Sequence, residues 1–185
     1  MTKYSSLFDL EHLETFSLPE LDKSISRFSL VSYKSQEIFM TGGVDKLNFL
    51  TKVYVFDLVK DEWKTDEQAE LNEARSSHSS IEIGQRLYVF CGYNGDKCLN
   101  SIECLDFDRQ VSFFGLMEEA KRRWFIWEVD MLGPRENPTV CAYSNNEICI
   151  MGGYQGGHLS DVILVNFEHR TGRKVLRKSF MNFSC

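Results

Sequence analysis

The sequence is short of positive charge, with 21 lysines and arginines against 27 acidic residues and a formal net charge of -6. Both signs are mixed along the chain, so there is no basic face for nucleic acid or an anionic membrane, and neither is expected as a partner. No apolar stretch approaches the ~18 residues that cross a bilayer as a helix, and the first ten residues, Met1 to Leu10, hold no apolar segment of the signal type. The histidines, His12, His78, His158 and His169, have no helical i,i+4 pairing and no zinc spacing with cysteine, so no metal is expected. The glycine-rich run Gly152 to His158 lacks the lysine and hydroxyl residue of a phosphate-binding loop, and no GxSxG marks a hydrolase nucleophile, so no cofactor is expected either. Cys91, Cys98, Cys104, Cys141, Cys149 and Cys185 include no CxxC, and three of them lie inside apolar runs. Free thiols and a cytoplasmic location are the expectation.

What is present is a repeat. The chain is 43% hydrophobic and 13% aromatic, enough for a real core, and the apolar residues come in a recurring order. Ile38-Phe-Met-Thr-Gly-Gly43 is followed by Val53-Tyr-Val-Phe-Asp57 and Trp63. Leu87-Tyr-Val-Phe-Cys-Gly92 is followed by Ile102-Glu-Cys-Leu-Asp106 and a tryptophan, either Trp124 or Trp127. Ile148-Cys-Ile-Met-Gly-Gly153 is followed by Val162-Ile-Leu-Val-Asn166, with no tryptophan near the corresponding place at Gly172. Gly43 to Asp57 and Gly92 to Asp106 each span about 14 positions, and Arg27 to Arg75 and Asp57 to Asp106 span about 48 and 49, the period of propeller repeats.

Each repeat reads as four strands. The first begins at Arg27, Arg75 or Arg135, and a polar turn leads to the second, which ends in Gly42-Gly43, Cys91-Gly92 or Gly152-Gly153. Continuous apolar runs between turn signals fit strands buried on both faces, and residues without Cβ let backbones crowd or take positive φ. The third strand closes on Asp57, Asp106 or Asn166, whose side chains can bond their own downstream backbone. The fourth bears Phe16, Trp63 or, in the assignment adopted here, Trp127, an aromatic suited to the gap between neighbouring sheets.

This order, an arginine, two apolar strands ending in glycines, a third strand closed by Asp and then Trp, resembles the kelch repeat over nearly the whole chain. The resemblance implies an all-β fold of kelch-type β-propeller blades of four antiparallel strands. Leu7-Phe-Asp9, Phe16 and Arg27 match the spacing of Phe56-Asp57, Trp63 and Arg75, which gives half a blade over 1–26 and blades over 27–74, 75–134 and 135–185. About three and a half repeats fall short of the roughly 4–8 blades of a closed wheel. The expectation is a partial or open propeller: a piece of a longer wheel, an array capped by a partner, or half of a homodimer that completes a propeller. Blade two carries an insertion over 109–126, read either as a long hairpin packed by Phe113, Phe114 and Trp124 or as a protruding element that docks a partner. Glu118 with Arg122, and Glu119 with Arg123, are spaced to support a helical turn there.

The function that the resemblance implies is a non-catalytic protein–protein interaction module binding an unknown protein through blade-end loops. The candidate contact residues are Arg27, Arg75, Ser76, Arg135 and Asn137 at the blade starts, and Val44, Asp45, Tyr93, Asn94, Tyr154, Gln155 and His158 after the glycine pairs. For the arginines a second reading stands beside this one, pairing with a neighbouring acid inside the blade. The alternatives in function are a kelch-propeller enzyme with a hub site, of oxidase or sugar epimerase type, and a scaffold or cytoskeletal subunit of a larger assembly.

Overall fold

The computed structural model describes residues 5–21, 23–64, 69–107, 123–127, 129, 133–169 and 171–175, and these contain strands and turns and no helix. The strands are β1 (Ser5–Asp9), β2 (Glu14–Leu18), β3 (Ile25–Ser26), β4 (Ser29–Tyr33), β5 (Glu37–Thr41), β6 (Val44–Asp45), β7 (Asn48–Phe49), β8 (Val53–Asp57) and β9 (Glu62–Trp63). They continue as β10 (Ser79–Ile83), β11 (Arg86–Phe90), β12 (Ile102–Asp106), β13 (Trp124–Trp127), β14 (Thr139–Ala142), β15 (Glu147–Met151), β16 (Val162–Asn166) and β17 (Thr171–Lys174). Three four-stranded antiparallel sheets follow, β4-β5-β8-β9, β10-β11-β12-β13 and β14-β15-β16-β17, preceded by the two-stranded sheet β1-β2. The first strands of successive sheets, β4, β10 and β14, lie side by side, so the sheets stand as blades in an open array among the described residues.

The continuous apolar runs are explained by β11. Leu87 and Val89 face blade one, packed with Val31, Phe39, Val55 and Trp124. Tyr88 and Phe90 face blade three, packed with Ile102, Ile148, Ile150 and Val165. Period-two alternation is absent from the hydrophobicity because both sides of the strand are interior. Each such side chain contributes about 1.5–3 kcal/mol of burial.

The turns close as their residues dictate. The Asp57 carboxylate accepts the backbone N–H groups of Val59 at 3.0 Å and Lys60 at 3.1 Å, and Asn166 Oδ1 accepts that of His169 at 2.9 Å. The bond from Lys60 is the leading reason that the Asp57 carboxyl is held below its usual range.

The tryptophan of the second repeat is Trp124. Trp63 lies opposite Phe56 and Trp124 opposite Leu105, the same register in two blades. Each indole N–H donates to the chain leaving the preceding sheet, Trp63 to Pro19 O at 2.9 Å and Trp124 to Ala69 O at 3.0 Å. Trp127 stands opposite Ile102 and turns the other way, against Tyr88 and Phe167. The assignment of Trp127 as the repeat tryptophan is therefore corrected: positions three apart on a strand point to opposite faces. Phe16 is likewise displaced by one residue, since Thr15 is the partner of Phe8 and Phe16 pairs with Leu7. Trp124, Phe125 and Ile126, expected at the end of the insertion, belong to β13. Residues 109–122, with Phe113, Phe114 and the Glu118–Arg122 pair, lie outside the described residues, as does Arg123's partner Glu119.

The second glycine of each pair is held by a close backbone crossing. Gly92 has φ +101°, and a Cβ there would stand 2.7 Å from Ser76 O and 2.9 Å from His78 Cβ. Gly92→Ala is expected to lower stability by about 2–3 kcal/mol from strain at positive φ and the backbone clash, read as a lower urea midpoint at unchanged slope. A variant within about 0.5 kcal/mol of the parent would refute the crossing.

Candidate functional site

At the end of each blade where the second strand meets the glycines, the backbone runs from blade to blade. The N–H of Gly43 donates to Arg75 O and that of Gly92 to Arg135 O, each at 2.8 Å. A second ladder joins Ser77 N to Arg27 O at 2.9 Å and Asn137 N to Ser77 O at 2.7 Å. Arg27, Ser77 and Asn137 all have φ between +51° and +55°, the conformation that aims one carbonyl at the next blade. Short pairings extend this end outward: β3 with β6 and β6 with β7 in blade one, then Ser76 with Tyr93, Tyr93 with Cys98, Glu136 with Tyr154, and Tyr154 with His158. Val44, Tyr93 and Tyr154 are thus one position, and Phe49, Cys98 and His158 another.

The same register shows that Arg27 is not the counterpart of Arg75. Ser26, Ser76 and Glu136 pair alike, so Ile25 stands where Arg75 and Arg135 stand. Arg75 is 0% exposed. Its guanidinium donates to Cys91 O at 2.8 Å, Ser101 Oγ at 3.1 Å and Glu103 Oε1 at 2.7 Å. Glu103, also 0% exposed, accepts in addition the N–H groups of Asn72 at 2.6 Å and Glu73 at 3.1 Å. Arg135 repeats the scheme, donating to Gly152 O at 2.9 Å and forking onto Asp161 at 2.8 and 3.2 Å. That contact is the leading reason that the Asp161 carboxyl lies below its usual range. In blade one Lys52 occupies the place of Ser101 and Asp161, as its carbonyl shows by accepting from Gly42 N. The Lys52 ammonium itself pairs with Glu70 at the surface.

Arg75, Ser76 and Arg135 are therefore interior, and their candidacy as contact residues is corrected: the terminal guanidinium nitrogens of both arginines are turned onto acceptors of the blade itself. Arg27 and Asn137 have exposed side chains on the inter-blade ladder. Tyr93 and Asn94 are half-buried, and Tyr154, Gln155 and His158 are exposed. The Asn94 carboxamide accepts from Asp96 N at 3.0 Å and Lys97 N at 2.9 Å and donates to Glu73 at 3.3 Å, which fixes the loop beneath Tyr93. Tyr154 stacks edge-on with His158, ring centres 5.6 Å apart, and Phe49 meets Tyr93 in the same way at 5.6 Å. Phe49 and Leu47, the latter 90% exposed at the tip of the β6–β7 hairpin, complete this end and were missed in the sequence. The signal for Phe49 is its offset of six from Gly43, the same as that of Cys98 from Gly92 and one more than that of His158 from Gly153.

The opposite end carries a cleft of about 490 Å³ between blades two and three, lined by Arg86, Tyr88, Asp106, Trp127, Phe167 and Glu168. Arg86 Nε donates to Asp106 Oδ2 at 2.7 Å, and Tyr88 stacks on Phe167 at 4.3 Å. Burial pushes the Tyr88 hydroxyl above its ordinary range. Among the described residues no group of three or more His, Cys, Asp or Glu side chains is placed to hold a metal. Nor is any helix there long and apolar enough to cross a membrane.

A family model described as the KLHDC2/KLHL20/DRC7 Kelch-repeats domain matches residues 4–180. The chain belongs to the kelch-repeat family. A curated relative, the Rho GTPase-activating protein gacHH of Dictyostelium discoideum, is 28% identical over 143 residues, which are 75% of this chain and 8% of that protein. The kelch match accounts for the glycine pairs, the third-strand acids and the tryptophans. The kelch repeats depart from one another here in Cys91 at the first glycine position, where φ is +59°, and in Gly172 opposite Val165, where Trp63 and Trp124 stand in the earlier repeats.

Proposed function

We propose that this chain is a non-catalytic protein-interaction module that engages an extended segment of a partner protein across the glycine end of its blades. The observation that carries this reading is the row of Phe49, Tyr93, Tyr154 and His158 on loops set by inter-blade backbone bonds. Rigid aromatics on a fixed frame bring large contact area at small entropy cost, and tyrosine is a common interface anchor. Tyr154 is already 39% exposed, with Gln155 and the exposed Asn137 and Arg27 to satisfy a partner's polar backbone. A similar segment forms a small part of a protein named as a Rho GTPase-activating protein, which supports a role as one recruiting module of a larger assembly.

The test is to pan a phage-displayed library of random linear peptides against the chain and measure the affinity of the selected peptides. Tyr93→Ala and Tyr154→Ala are each expected to weaken binding at least about ten-fold. Val59→Ser, at a site 77% exposed in the β8–β9 turn of the other end, is expected to leave binding unchanged. Peptides indifferent to both tyrosines, or lost with the Val59 variant, would overturn the assignment.

A further inference from the structure

Two of the five cysteines described lie directly opposite each other. Cys141 on β14 is the register partner of Cys149 on β15. The hairpin closes with Tyr143 N donating to Glu147 O at 2.9 Å, which makes Tyr143 and Glu147 a hydrogen-bonded pair. Hydrogen-bonded and non-hydrogen-bonded pairs alternate along an antiparallel ladder, so Cys141 and Cys149, two steps further on, are hydrogen-bonded as well. Such residues have Cα atoms about 5.5 Å apart, within the roughly 4.4–6.8 Å that a disulfide spans. The two sulfurs sense one another: the Cys149 thiol is raised above its ordinary range by burial first and then by Cys141.

Their surroundings separate them from the other thiols. The alternate residues Val140, Ile148 and Ile150 turn toward blade two and join the core there. Cys141 and Cys149 occupy the other face, where Cys141 is exposed and Cys149 buried beside it. Cys91 and Cys104 are core residues, and Cys98 sits at the glycine end beneath Tyr154 O. The hairpin thus holds an accessible thiol with a resolving thiol behind it.

We propose that Cys141 and Cys149 are a redox modification site that closes reversibly into a cross-strand disulfide by exchange with a low-molecular-weight disulfide. Cys141, as thiolate, attacks one sulfur of the small disulfide; that S–S bond breaks, a mixed disulfide forms on Cys141 and one small thiolate leaves. Cys149 gives its proton to solvent and attacks the Cys141 sulfur, expelling the second small thiolate. Two electrons pass from the cysteine pair to the small disulfide, which becomes two thiols carrying the two protons. A hydrogen-bonded pair holds its Cβ atoms farther apart than the ~3.8 Å mean of disulfides, so the bond is strained and readily reduced, as in labile redox devices.

The experiment treats the reduced chain with glutathione disulfide, blocks remaining thiols by alkylation, and cleaves after Glu147, which lies between the two cysteines. The expected result is loss of two hydrogens from the intact mass without adduct, the two peptides joined through Cys141 and Cys149, and full recovery of both thiols on reduction. In Cys149→Ser the expectation is a stable glutathione adduct on Cys141, because no resolving thiol remains. A persistent adduct on Cys141 of the parent, a bond to another cysteine or another chain, or no reaction at all would each overturn the proposal. The parent's peptide map decides even where the variant folds poorly.

Discussion

Arg75→Met is expected to lower stability by about 3–5 kcal/mol. The arginine and Glu103 are both fully buried and are joined at 2.7 Å. Removing the cation leaves a carboxylate in the interior with only neutral donors, from Asn72 and Glu73. It also strips Cys91 O of its side-chain donor, and a buried group left without a partner costs more than a made bond contributes. Arg75→Lys is expected to fall between, since one ammonium cannot reach Cys91 O, Ser101 and Glu103 together as the planar fork does. Arg135→Met should cost less, because the Asp161 side chain keeps 15% exposure and has Lys174 within 3.6 Å. Urea midpoints of the variants at constant slope provide the check. If Arg75→Met costs under about 1 kcal/mol, the pair is an ornament of the blade and not its clamp.

The second large effect is a loss of stability in mild acid. His78 sits at the junction of blades one and two with its Nε2 2.8 Å from Thr41 Oγ1. Its Nδ1 and the Nε of Arg75 are buried without partners, and the side chain lies between the glycines of both blades, its ring at Gly42 and its Cβ at Gly92. Burial, and next the charge of Arg75, lower its pKa from 6.5 to about 3. The sign follows from proton counts: between these values the unfolded chain holds a proton on His78 that the folded chain excludes, so stability rises with pH. The contribution is complete above about pH 6.5 and is lost as pH falls toward 3, at about 1.4 kcal/mol per unit, or about 2 kcal/mol between pH 7 and pH 5. Asp161 and Glu70, whose carboxyls are lowered from 3.8 and 4.5, weaken the fold only at more acid values, so the window belongs to the histidine. His78→Gln should flatten the pH 7 to pH 5 slope of the urea midpoint by about 2 kcal/mol. An unchanged slope would mean that the ring is accessible to protons in the folded state.

The class of the fold was legible because its signals are local. Glycines before a loop, apolar runs between polar turns and an acid closing the third strand each have a backbone reason that recurs with the period. The aromatic row was partly legible: Tyr93, Tyr154 and His158 follow glycines at readable offsets, while Phe49 and Leu47 did not stand out from ordinary apolar residues. The errors were errors of phase. Arg27 lies about two residues from the position of Arg75 and Arg135, and the sequence offers no reason to prefer Ile25, because the role of that position is defined by a partner on a distant strand. Trp124 and Trp127 are both aromatic and both on β13, and only the register opposite β12 shows which one faces blade one.

The amino-acid sequence by itself determined the repeat, the all-β class, the strand pairs within each blade and the glycines at which backbones cross, since these rest on conformational preference and short-range pattern. Tertiary structure alone decided that Arg75 and Arg135 face inward, that His78 is buried at the junction of two blades, and that Cys141 meets Cys149. Burial and pairing across long sequence distances depend on which surfaces the blades press together, and a side chain's type does not specify its neighbours.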